Sequence, residues 1–60
     1  MNTIRVFKGN ELLYTFTSSI VPPTGSYLWI DESVLYYVVK DVLYNFNTKT
    51  NEMNVDLIVN

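Results

Sequence analysis

ESVLYYVVKDVLYNF, residues 32–46, decides the fold because its apolar residues satisfy two periodicities at once. Read at 3.6 residues per turn the stretch presents a helical face, and read at period two it alternates as a strand. Composition settles the choice. Val and Tyr pack well on a pleated, half-buried surface, and a helix restricts their side-chain rotation. Taken as a strand, the segment carries one anomaly: after Val39 the apolar phase jumps three residues to Val42 before resuming at Tyr44. Strict alternation cannot absorb an odd step, so the spacing predicts a β-bulge at Lys40-Asp41.

Outward from this segment, SYLWID (26–31) folds back on it across a tip at Glu32-Ser33, setting Ile30 opposite Leu35, Trp29 opposite Tyr36, Leu28 opposite Tyr37 and Tyr27 opposite Val38. One face then holds Leu28, Ile30, Leu35, Tyr37 and Val39, and the other holds Tyr27, Trp29, Tyr36 and Val38. On the C-terminal side TKTN (48–51) turns the chain and pairs Phe46 with Met53, Tyr44 with Val55 and Val42 with Leu57, while Asn45, Asn54 and Asp56 face the other way. At the N-terminus TIRVFK (3–8) and ELLYTFT (11–17) flank Gly9-Asn10, a dipeptide suited to a two-residue hairpin. This hairpin sets Lys8 opposite Glu11, Phe7 opposite Leu12 and Val6 opposite Leu13. PPTG (22–25) reads as a type I turn with Pro23 at its second and Gly25 at its fourth position.

These pieces make a single all-β domain over residues 1–60, a five-stranded antiparallel meander that forms a strongly curved sheet or a small SH3-like barrel. A chain of 60 residues buries only roughly 60% of the surface it exposes when unfolded, and with no cysteine it has no disulfide or thiolate zinc site as a staple. Packing must supply its stability, including packing against another copy. No long apolar run marks a signal peptide or a membrane span, so an intracellular, cytoplasmic protein is expected.

Four Lys and Arg against six Asp and Glu give a net charge of −2, which offers little to a phosphate backbone and argues against general nucleic-acid binding. The charges Lys8, Glu11, Asp31, Glu32, Lys49 and Glu52 gather at turns, so the strands lack the charges that normally keep edges apart. Without His or Cys the commonest general base, the best transition-metal ligands and the thiol nucleophile are missing, and neither catalysis, a metal nor a cofactor is expected. Asp31 with Glu32 reads as a solvated turn, and Asp41 with Asp56 as neighbours near the bulge.

The aromatic residues separate into two groups. Phe16, Tyr37, Tyr44 and Phe46 run in phase with aliphatic neighbours and are expected in the core. Tyr27, Trp29 and Tyr36, with Val38, run out of phase with it. They form either a cross-strand ladder that stiffens an exposed hairpin or a partner-binding surface, since Tyr and Trp are enriched at interfaces. Arg5 and Lys40 are the candidate contacts for a small ligand.

The pattern Val-Pro-x-x-Gly-x-x-x-x-Ile-Asp over residues 21–31, followed by Tyr37-x-Val39 and Val42-x-Tyr44, resembles a group of short β proteins of bacteriophages and bacterial mobile elements. The likeness covers residues 20–58, with Ser26 standing where that pattern usually has Asp. It implies a phage or prophage accessory protein in the bacterial cytoplasm and supplies no catalytic residues. Joined to the aromatic face, it leads to the expectation of a non-catalytic module that self-associates and binds and inhibits a host defence protein. The alternatives are an oligomer that sequesters a nucleotide-like ligand, or an assembly component of a phage particle.

Overall fold

A computed structural model of the chain describes residues 1–31 and 35–60. Among these the chain forms five strands and no helix: β1 (Asn2–Lys8), β2 (Glu11–Ser18), β3 (Tyr27–Leu28), β4 (Tyr37–Asn47) and β5 (Glu52–Val59). They build one strongly curled mixed sheet, a half-barrel, in the order β2-β1-β5-β4-β3. Of the decisive segment, residues 37–46 are strand, and the expected tip at Glu32-Ser33 lies outside the described residues.

The order keeps the expected meander as a ring but opens it at a different place. Consecutive strands pair within β1–β2, β3–β4 and β4–β5, all antiparallel, whereas β2 and β3 do not pair and β1 joins β5 instead. Five strands that reverse at each step leave the first and last running the same way, so the pair joining β1 to β5 is parallel. The all-antiparallel expectation fails at this one contact, and hydrophobic burial explains why. Among the described residues, Ile4 and Val6 of β1 and Val55, Leu57 and Val59 of β5 supply five of the six buried core residues, Val39 of β4 being the sixth. Pairing the two strands that supply most of the buried side chains places them in the middle of the sheet, where a parallel pair is covered.

Both bulges follow from the same arithmetic. In β4, Val39 pairs with Val59 and Asp41 with Ile58, leaving Lys40 as the extra residue, as the spacing predicts. The downstream pairs Val42 with Leu57, Tyr44 with Val55 and Phe46 with Met53 are also as expected. In β2, Lys8 faces Glu11 and Phe7 faces Leu12, but Val6 faces Tyr14 rather than Leu13. A regular ladder would have set Thr15 opposite Ile4, whereas the extra residue brings Phe16 there and leaves Leu13 packed on the core as well. Leu13 and Phe16 are three apart, the same odd step as Val39 and Val42.

The PPTG turn forms one residue later than expected. The Ser26 amide donates to the Pro23 carbonyl (3.1 Å) and Gly25 takes φ = +94°, so Gly25 occupies the third position of a type II turn. The turn hangs on β4, since the Gly25 amide donates to the Val39 carbonyl (2.8 Å) and the Val39 amide to the Ser26 carbonyl (2.9 Å). A Cβ at Gly25 would meet no atom within 4 Å, so only the backbone conformation resists a side chain there. Gly25→Ala is therefore expected to cost about 1–2 kcal/mol, the strain of an L-residue in a left-handed conformation. Urea denaturation would show this as a lower midpoint with an unchanged slope.

Three apolar residues expected in the core are exposed: Leu35, Tyr44 and Phe46. The last two do lie on the core side of β4, opposite Val55 and Met53, but the molecule is elongated, 40 × 21 × 19 Å, and the β4–β5 hairpin runs past the end of the barrel. β1 accompanies β5 only from Asn54 to Ile58, so Phe46, opposite Met53, has no wall to pack against and is 72% exposed. At the hairpin end the Asn47 side chain caps the turn, accepting from the Lys49 (3.0 Å) and Thr50 (3.3 Å) amides.

Candidate functional site

β3 is short but its register controls the aromatic residues. Tyr27 pairs with Val38 and Leu28 with Tyr37, the expected alignment. Alternation turns Leu28 and Tyr37 onto the core and leaves Tyr27, Trp29 and Tyr36 on the outer side. Tyr36 is the centre of the group. Its ring meets that of Tyr27 edge-on at 4.8 Å between centroids (64° between planes) and that of Trp29 at 5.2 Å (54°). Such tilted contacts set the positive edge of one ring against the negative face of another and add to the hairpin's stability. Despite these contacts the rings stay exposed: Tyr27 64%, Trp29 59% and Tyr36 50%, with Val38 half-buried beneath them.

Trp29 also borders a second feature. Where the ring of strands is open, between β2 and β3, lies a cleft of about 340 Å³. Val6 lies at its base, Tyr14 and Phe16 form the β2 wall, Leu28, Trp29 and Ile30 the opposite wall, and among the described residues Asp31 is the one charged side chain lining it. Tyr14 and Phe16 stack on one another at 5.9 Å. The β2 bulge creates this wall, because without it both rings would point to the other face. The aromatic patch and the cleft thus share Trp29 and form one apolar surface.

The two cationic residues considered as ligand contacts are elsewhere. Arg5 alternates with the buried Ile4 and Val6 and so projects from the opposite face of the sheet, away from the cleft. There it donates to Asp56 through Nε (2.8 Å) and Nη2 (2.9 Å), a two-bond ion pair to its partner residue across the β1–β5 ladder. Asn45 Nδ2 donates to the same carboxylate (3.0 Å), and the guanidinium lies 5.3 Å from the centre of the Phe7 ring. Hydrogen bonding to Asp56, with its negative charge, raises the Arg5 pKa above its ordinary value. Lys40 projects from the exposed bulge. Sequence reasoning missed the Arg5–Asp56 pair because it depends on β1 lying beside β5.

Among the described residues no cluster of three or more carboxylates is placed to hold a metal ion, and no helix is long and apolar enough to cross a membrane. Asp41 and Asp56 stand opposite Ile58 and Leu43 respectively, in separate rungs of the β4–β5 ladder, and Asp56 is bound to Arg5 and Asn45. The chemistry available at the exposed aromatic surface is burial and stacking. Comparison with protein-family models, curated proteins and solved structures gives no match, so the reading of this surface rests on its own geometry.

Proposed function

We propose that this chain is a small non-catalytic β interaction module whose Tyr27, Trp29 and Tyr36 face docks on a partner protein. One observation carries the reading: three large aromatic side chains hold each other in place while each remains at least half exposed. Rings already ordered in the unbound protein lose little conformational freedom on binding, and Trp and Tyr are the residues that most often dominate interface energies. The likeness to bacteriophage β proteins makes a bacterial host protein, inhibited by occupation of its surface, the partner class to test first. Capture of a nucleotide-like ligand is less well supported, because the one charged side chain among the described residues lining the cleft is the acidic Asp31, and Arg5 is committed to Asp56 on the far face.

The test compares the wild-type chain, the Trp29→Ser/Tyr36→Ser variant and a Phe46→Ser control as baits against a bacterial host lysate, followed by titration of the captured protein. Loss of one interface anchor costs about 2 kcal/mol or more, so the double variant is expected to bind at least about 30-fold more weakly. Phe46→Ser removes a still more exposed ring away from the patch and is expected to bind as the wild type does. Retained binding by a folded double variant would reduce the patch to a hairpin ladder.

A further inference from the structure

We propose that two copies of this chain associate through β2, pairing antiparallel across a two-fold axis at Phe16 so that each half-barrel is continued by the other. Among the described residues β2 has a neighbour strand on one side only, so alternate backbone N–H and C=O groups along its other edge point at the open seam. Natural edges are normally blunted by Lys, Pro, inward charges or bulges. Here β2 contains no Lys, Arg or Pro, and its single charge, Glu11, and its bulge at Leu13 both lie at the hairpin end. Tyr14 to Ser18 form an uninterrupted, uncharged stretch. The other edge, β3, is two residues long and follows Pro22 and Pro23.

The occupant follows from how the stretch complements itself. Its midpoint is Phe16, and antiparallel pairing about that point sets Phe16 against Phe16, Thr15 against Thr17 and Tyr14 against Ser18 of the second copy. Phe16 thus meets Phe16 on the cleft side and threonine pairs meet on the other, both favourable cross-strand combinations, and the two Glu11 residues are kept apart. A two-fold axis normal to the sheet preserves its faces, so the second half-barrel curls in the same sense and arches over the first copy's cleft. The surface available fits this association. The chain exposes 4547 Å², whereas a compact 7.0 kDa monomer exposes ~4,000 Å². Burying an excess of about 500 Å² on each copy reaches the ~1,000 Å² total that a specific interface needs.

The experiment is sedimentation velocity on the wild type over a range of concentrations, with folding followed by circular dichroism. The wild type is expected at twice 7.0 kDa. Thr15→Lys/Thr17→Lys opposes like charges in both threonine pairs and should halve that mass. Thr15→Glu/Thr17→Lys carries two new charges as well, but each introduced carboxylate then meets an introduced ammonium of the other copy, and it should remain a dimer. Should the double-lysine variant unfold, the register is read by mixing Thr15→Cys with Thr17→Cys chains under mild oxidation. Facing Cα atoms lie within disulfide range, so the mixture should form a covalent heterodimer. A wild type that stays at 7.0 kDa, a folded double-lysine variant that stays dimeric, or a mixture that fails to cross-link would each overturn the proposal. These readouts need no captured partner, so failure here and failure of the aromatic-patch reading are distinguishable.

Discussion

Leu57→Ala is expected to leave most of the chain unfolded at room temperature. Leu57 has no exposed surface and stands at the centre of the sheet, paired with Val6 on one side and Val42 on the other. The core around it is small: among the described residues its other fully buried members are Ile4 and four valines, and the larger side chains packed against them, such as Phe16 and Tyr37, are only partly buried. Cutting a buried leucine to alanine costs about 2–5 kcal/mol, including the cavity left behind. A single core in a domain this short seldom contributes more than about 3–5 kcal/mol in total, so the loss is comparable to the whole. Far-UV circular dichroism at fixed protein concentration should show a weakened β spectrum and no cooperative melt at ordinary temperatures. Leu43→Ala makes the same chemical change on the opposite, half-exposed face of β4, facing Asp56, and is expected to cost below about 1 kcal/mol. A Leu57→Ala melt within a few degrees of the wild type would mean that the β1–β5 contact is not the centre of the fold.

Local information in this chain is strong enough to specify hairpins and too weak to specify which hairpins meet. The β4–β5 register, the Lys40 bulge and the Tyr27–Val38 pairing were legible because each follows from alternation and turn spacing within about twenty residues. The β2 bulge carried the same odd-step signal, Leu13 to Phe16, but a well-formed Gly9-Asn10 hairpin accounted for the nearest pairs and concealed the step further on. Closure was not legible. Whether β1 lies beside β5 or leaves the seam there depends on which strands contribute most to one shared core, a property of residues 4–6 and 55–59 taken together. The candidate site divides the same way. The aromatic triad was readable from a single hairpin's register, whereas the cleft it borders and the Arg5–Asp56 pair exist only once the two ends of the chain are adjacent. Tyr44 and Phe46 had the phase of core residues, and phase tells which face a side chain takes without telling whether a second wall stands opposite it.

Val39 is where that site is attached to the core, and Val39→Asp is expected to abolish both at neutral pH. Its side chain is 1% exposed, it pairs with Val59, and its backbone makes both hydrogen bonds that hold the Gly25–Ser26 turn leading into β3. Among the described residues the core around it contains no polar or charged side chain that could pair with a carboxylate. An unpaired buried charge costs about 3 kcal/mol or more, enough to unfold a domain this small. The pH dependence follows from the sign of the shift. Burial raises the aspartate's folded-state pKa above its unfolded value of about 3.9, so the folded state binds the proton more tightly. The destabilisation is therefore smallest below about pH 4 and grows as pH rises through and beyond that value. Circular dichroism from pH 7 down to about pH 3 should show Val39→Asp gaining structure on acidification relative to the wild type. Lys40→Asp, one residue along at the exposed bulge, is expected to cost below about 1 kcal/mol and to leave the aromatic face intact. Equal tolerance of aspartate at positions 39 and 40 would place β4 in the wrong register and detach the aromatic face from the core.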